Sequence, residues 1–420
     1  MKRNSDFRIR SGKFFRHVIG ATFFIFAFIF IAGKFLNSLD FLDPVGEALA
    51  DFDFTDIAFI EFRDEPTDDE RITLVNIGQL NRAGIARQLE IINKYDPKVI
   101  GVDIEFDGAK DSISDLMLKF AMAESENLVM ISRLDYDSSS GIFNVITPPE
   151  SFLEHGTLSY ANLISPAGSQ EQLKTCRSFS PAEPTTMDSM NAFSVALAMK
   201  YSPEKTSAFL ERKNPYELIN FRRNIFDPYG YSVFHGRYLS VDPFQILEEN
   251  FEPEIIKDRI VILGYLGENI LDPSWEDKYI TPLNVNYAGR TNPDMFGAVI
   301  HANIISMILD EDYINEMGPA QSLIWAILLC LLNVACFMIV YYRLPDWYDG
   351  ITKLIQLVEV IFLFFVIIYV FAVYNYKMHL ELAIIAIALS GDMLEIYNGV
   401  IKNISTKIKR KIKPKLSWSE

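Results

Sequence analysis

The sequence predicts an extracytoplasmic α/β domain with a mainly parallel central sheet, carried by four transmembrane α-helices, one N-terminal and three C-terminal. Three observations predict it. The hydrophobic half of the 420 residues clusters in four runs long enough to cross a bilayer. Between the first and second runs, apolar segments alternate with helix-period segments, as in βαβ units. Lysine and arginine gather outside the first and last runs, which places both ends in the cytoplasm and the large segment beyond it.

The four runs are residues 14–36, 319–342, 354–374 and 380–401. The apolar part of the first is longer than the ~7–15 residues of a secretory h-region and no A-x-A site follows, so a retained anchor is favoured over a cleaved signal. Residues 1–13 form a basic cytoplasmic N-terminus with Lys2, Arg3, Arg8, Arg10 and Lys13, and 402–420 form a basic tail with Lys402, Lys407, Lys409, Arg410, Lys411, Lys413 and Lys415. Residues 37–318 then lie outside, with about 47 acidic and 22 basic residues against a whole-chain net charge of −16. That excess of acid excludes a nucleic-acid groove and suits a solvated surface, a cation or a basic partner. Cys176 is alone in this segment, while Cys330 and Cys336 fall in the second run, so an internal disulfide framework is excluded and an ordinary core is required.

Along the segment, "ITLVNIG" reads as a strand and "NRAGIARQLEIINKY" as a helix with Ile85, Leu89 and Ile92 on one face. "PKVIGVDIEF" reads as a strand covered on both sides. "SISDLMLKFAMAESE" and "NLVMIS" repeat the helix and strand. From 136 to 184 the text becomes rich in Ser, Pro and Gly, a polar elaboration with hairpin strands expected at "GTLSYANL" and "LKTCRSF". A helix at "SMNAFSVALAMKY", strands at "YELINF" and "RYLSV", a buried strand at "RIVILGYLGE" returning to the main sheet, and an amphipathic helix at "GAVIHANIISMILD" complete the domain.

The series "ITLVNIG", "VIGVDIEF", "INFR", "DRIVILG", "DKYITPLN" and "FGAVIHANIISMIL", in this order and spacing, resembles the type 2 CHASE ectodomain, an extracytoplasmic sensory module of bacterial membrane proteins. The likeness spans most of residues 57–309 and extends to the plan of one leading and three trailing spans. In that family the trailing spans usually lead to a cytoplasmic histidine kinase, cyclase, diguanylate cyclase or protein kinase. No such pattern follows Ile401, so the output is expected to belong to another polypeptide.

Ligands of open α/β sheets sit beyond the carboxyl ends of the strands. That rule gathers Asn76, Asp103, Glu105 and Gly264, and the resemblance adds Asp277, Tyr279, Thr281, His301 and Asn303 as a polar pocket for a cation or a small solute. Each has a plainer reading: Asp103 and Glu105, on the same face of an extended strand, as helix caps, the "DKYIT" group as a turn before Pro282, and His301 as a satisfied core residue. No metal or other cofactor is expected, and no P-loop, G-x-S-x-G, H-E-x-x-H or C-x-x-C signature points to an enzyme.

In the membrane, Glu359, Asp392 and Glu395 have no lysine or arginine within the three C-terminal runs. A lone carboxylate there costs on the order of 3 kcal/mol, so each is expected to be protonated, to face water, or to meet a basic residue of another protein. Asn333 is expected to bridge helices, at around 0.6 kcal/mol. The reading is therefore a sensory or regulatory subunit of the bacterial inner membrane that acts through another membrane protein, contacted by the C-terminal helices and the acidic domain. The alternative is a docking subunit of an envelope complex. An enzyme or transporter fits least.

Overall fold

A computed structural model describes residues 11–36, 53–165, 168–169, 175–234, 236, 238–269, 271–286 and 292–412. The expected basic stretch before residue 11, the end of the tail beyond 412 and the start of "LKTCRSF" lie outside them. The chain divides into two compact units, Asp51–Asn315 and a second made of the N-terminal helix with the residues from Glu316 onward.

The first unit is built on a nine-stranded sheet. Its strands are β1 (Ile72–Asn76), β2 (Val99–Asp103), β3 (Leu128–Asp137), β4 (Ile142–Ile146), β5 (Thr157–Tyr160), β6 (Ala182–Thr185), β7 (Asp188–Asn191), β8 (Leu239–Val241) and β9 (Ile260–Gly264). They lie in the order β7-β6-β4-β3-β2-β9-β1-β8, with β5 also on β3. The half from β3 to β8 is parallel throughout, and β9 returns between β1 and β2. β1 and β9 are buried at every residue because helices cover both faces, which is why they read as unbroken apolar runs. β3 changes character within one strand: Leu128–Ser132 is buried on both faces and pairs with β2 and β5, and from Arg133 onward burial breaks up as it pairs antiparallel with β4.

On one face, α2 (Arg82–Asn93) and α3 (Ser112–Ala123) bury Leu89, Ile92, Leu118 and Met122 against Ile100, Val102, Met130 and Leu263. Both start where the sequence provides a cap: the Asn81 side chain accepts from Gly84 N at 3.0 Å, and Asp111 from Ser114 N at 3.0 Å. On the other face lie α4 (Phe193–Tyr201) and α5 (Gly297–Asp310).

Three expectations are corrected. "GTLSYANL" and "LKTCRSF" do not form a hairpin: β5 joins β3 in parallel, and Ser178–Phe179 pairs with Glu217–Leu218, all that "YELINF" contributes as a strand. "SMN" is the end of β7, and the helix starts after it at Phe193. α5 is not amphipathic toward solvent, since Gly297 through Leu309 are all buried. Its polar positions meet the segment that covers them: Asn303 accepts from the Arg222 and Arg223 amides, and Ser306 bonds Tyr238 and Asp69.

The second unit contains α1 (Ser11–Leu36), α6 (Pro319–Arg343), α7 (Tyr348–Tyr374) and α8 (Glu381–Ile412), each with a stretch long and apolar enough to cross a membrane. α1 packs with the others: Val18, Ala21 and Ile25 meet Cys330, Val334, Phe337, Ala386 and Leu394.

Candidate functional site

Parallel register places three of the expected residues in one row. Asn76 at the end of β1 lies opposite Gly264 at the end of β9, which lies opposite Asp103 at the end of β2. The first turn of α5 comes down on this row so closely that a Cβ at Gly264 would sit 2.9 Å from the Ala298 Cβ. Asp277 arrives from the other side. Its carbonyl accepts from Gly297 N at 3.0 Å, and both its carboxylate oxygens lie 3.3 Å from where a Gly297 Cβ would be. Glycine at 264 and 297 thus leaves the room in which the two carboxyls converge, since Asp103 Oδ2 lies 3.7 Å from the Cβ position of Gly264.

Burial raises both acids. Burial, then the charge of Asp277, pushes the Asp103 carboxyl up to about 8, and burial with Glu276 pushes Asp277 up to about 7. The Tyr279 phenol is raised by burial and by Asp277, Cys176 and Asp103, so it stays a neutral donor beside the pair. Asp103, Asp277 and Tyr279, on a floor made by Gly264, are the expected residues that the fold brings together as a polar site.

The others are spent on structure or point elsewhere. The Asn76 amide donates to Asp242 and to the Gly267 carbonyl, and its oxygen accepts from Gly78 N and Leu266 N, so it locks two loops. Glu105 does not share a face with Asp103, because β2 ends at Asp103; it is exposed and pairs with Arg133 at 3.1 Å. Thr281 holds Asp294 through its hydroxyl at 2.7 Å and its amide at 2.8 Å. His301 is buried edge-on against Phe193 and pushed down to about 4 by desolvation, a neutral ring at physiological pH. Asn303 fixes the chain at Arg222 and Arg223.

Sequence reasoning missed the amino-terminal end of the sheet. A cavity of about 450 Å³ opens there, lined among others by Asp68, Glu70, Phe226, Tyr238 and Arg259. Beneath it, Asp69 accepts from Ser306 at 2.6 Å and pairs with Arg71 at 2.6 Å, and Arg71 reaches Asp310 at 2.8 Å. The run "TDDER" before β1 was the available signal. Lys278 was also missed: it is buried over the Phe296 ring, its ammonium disfavoured by desolvation and supported by Asp227, Asp272 and Asp294.

In the helical unit, Asp392 was expected to be protonated, to face water or to meet a basic residue of another protein. Instead it pairs with Lys353 at 2.6 Å, because α7 begins at Tyr348, ahead of the apolar run, and carries Lys353 level with it. Glu395 is exposed. Glu359 meets the Asn333 side chain, yet its Oε2 is buried without a hydrogen-bond partner, as is the Asn333 Oδ1.

Compared with protein families, residues 28–340 match the CHASE2 domain. The chain belongs to the CHASE2 family. Compared with curated proteins and with solved structures, it has no match. CHASE2 domains are sensory extracellular modules, so the unit that holds the sheet is a sensory one. Within this CHASE2 domain, two neighbouring buried carboxyls raised to about 8 and about 7 can hold protons near neutral pH or give them up to a small cation or amine. Among the described residues no group of three or more His, Cys, Asp and Glu side chains is arranged so that it could hold a metal ion.

Proposed function

We propose that this chain is a membrane-anchored sensory subunit, its CHASE2 domain on the outer side of the bacterial cytoplasmic membrane, and that it acts through a separate membrane protein. The observation that carries the sensory half is the convergence of Asp103 and Asp277 at the carboxyl edge of the sheet. A small cation or amine is the fitting ligand class, because it would relieve the repulsion that keeps one proton on the pair. The excess of lysine and arginine outside the first and last spans supports the orientation. The partner half is supported by Glu359, a carboxylate in a membrane helix with one oxygen unmatched inside the bundle.

The test uses the full chain in lipid nanodiscs. Calcium and 1,4-diaminobutane, titrated separately at pH 7.5, should include one that raises the unfolding temperature by several degrees, and Asp103→Asn should abolish the rise. No response to either, or a response unchanged in Asp103→Asn, would remove the crevice from the proposal. For the partner, a photo-crosslinker placed at 359 in native membranes should give one discrete adduct, whereas capture of lipid alone would argue against it.

A further inference from the structure

Two opposite charges at the amino-terminal edge of the sheet do not meet. Glu70 stands two residues before β1 and Arg259 one residue before β9, and the strands are in register there: Ile72 lies opposite Ile260, whose amide donates to the Arg71 carbonyl at 2.9 Å. Both side chains line the cavity of about 450 Å³, a volume within the roughly 300–1,000 Å³ of small-molecule sites. Neither has a side-chain hydrogen bond or ion pair among the described residues. Arg71 is not free to answer Glu70, because it is taken by Asp69 at 2.6 Å and Asp310 at 2.8 Å.

The same cavity has an apolar wall and a fixed floor. Phe226 and Leu239 line it and are left 51% and 40% exposed. Tyr238 and Asp69 are buried below, joined through Ser306 by contacts of 2.8 and 2.6 Å, so the floor is tied to α5 before any ligand arrives. Such preorganisation lowers the ordering cost of binding.

We infer that this cavity binds an apolar α-amino acid, with the carboxylate on Arg259, the ammonium on Glu70 and the side chain against Phe226 and Leu239. Charge selects the class. A guanidinium is matched by a carboxylate through two parallel hydrogen bonds, and a carboxylate such as Glu70 by an ammonium. A ligand with an ammonium alone leaves Arg259 unanswered, and one with a carboxylate or phosphate alone brings a second negative charge to Glu70 and to Asp68 in the same lining. A zwitterion satisfies both poles, and an apolar body covers the remaining wall. The cavity lies at the amino ends of the strands and the Asp103–Asp277 crevice at their carboxyl ends, so the two readings stand independently.

The test is isothermal titration calorimetry of the full chain in lipid nanodiscs with L-phenylalanine and L-leucine. At least one should bind with a Kd at or below about 1 mM. Of two fragments, 2-phenylethylamine lacks the carboxylate and 3-phenylpropionate the ammonium, and each should bind at least about tenfold more weakly than L-phenylalanine. Arg259→Met and Glu70→Gln should each weaken the amino acid by at least about tenfold without lowering the unfolding temperature, because neither side chain has a partner in the unliganded fold. Asp103→Asn should leave its affinity unchanged. Absence of binding by both amino acids at about 10 mM would overturn the site, as would affinity unaltered by Arg259→Met. Equal affinity for 2-phenylethylamine would reduce it to a cation site, and loss of binding in Asp103→Asn would move the ligand to the crevice; either result overturns the inference.

Discussion

Asn303 and Asn333 are both buried asparagines on apolar helices, one in the α/β unit and one in the helical unit. Asn303 has every capacity filled: its oxygen accepts two backbone amides, and its nitrogen donates to the Arg223 and Val299 carbonyls. Asn333 has only a long 3.5 Å contact to Leu329 O and the neighbouring Glu359, with its Oδ1 unmatched. The α/β domain wraps irregular chain around its helices, and irregular chain carries free backbone donors and acceptors. A bundle of membrane helices uses its N–H donors within its own helices. Its carbonyls can still accept a second bond, as Gly391 does from Tyr348 and Ile387 from Gln356, but an asparagine Oδ1 finds no free N–H. His17 and Asn398 likewise each have a buried ring or amide nitrogen lacking a partner. Buried atoms without a partner occur in the α/β unit as well, at Gln88 Oε1, Ser194 Oγ and His301 Nδ1.

Four measurements break or sharpen this contrast. Asn303→Leu strands two buried amides and a carbonyl at the covering segment, and should lower domain stability by about 3–5 kcal/mol in urea unfolding; a loss under about 1 kcal/mol would show that the covering segment is not held by this residue. Next in size is pH. Asp103 and Asp277 keep their protons to about 8 and about 7 in the folded state but lose them near 3.8 when unfolded. The folded state thus binds more protons across that window, and stability falls as pH rises from about 4 to about 8 and levels above it. The buried Asp294, pushed up to about 7, acts in the same direction. Thermal unfolding at pH 6, 7 and 8 should show the decline, and Asp103→Asn should flatten it between 7 and 8; an unaltered slope would mean that Asp103 is ionised in the fold.

The bundle should respond far less. Asn333→Leu should change stability in detergent by no more than about 0.6 kcal/mol, the average size of such membrane hydrogen bonds. A loss above about 2 kcal/mol would erase the difference between the two asparagines. Smallest is the double change Lys353→Met with Asp392→Asn, which removes both charges of the pair together and leaves no lone carboxylate in the helix, so it should cost below about 0.5 kcal/mol. A larger cost would mean that the pair is covered by another chain in the preparation measured.

Part of the crevice was legible because parallel strands of similar length end together. Once "ITLVN", "VIGVD" and "IVILG" are recognised as buried strands, the row of Asn76, Gly264 and Asp103 follows from register. Glu105 failed as a site residue for a local reason, since the strand stops two residues before it. Asp277 and Tyr279 came from the family resemblance, and no periodicity marks a short segment whose place is fixed by its bond to Gly297. The cavity at the amino ends was invisible because its walls, Glu70, Tyr238 and Arg259, come from three loops. Lys353 was missed because it lies one residue before the apolar run 354–374, although the helix already begins at Tyr348.

The sequence by itself determined the four apolar helices, the buried parallel strands, the helix caps and the distribution of charge, because each depends on residues near one another along the chain. Tertiary structure decided that Asp103 meets Asp277, that Asp392 finds Lys353 and Glu359 keeps an unmatched oxygen, and that Glu70 and Arg259 line one cavity. Those outcomes depend on which surfaces dock and on what burial does to a charge, and neither is encoded in local periodicity.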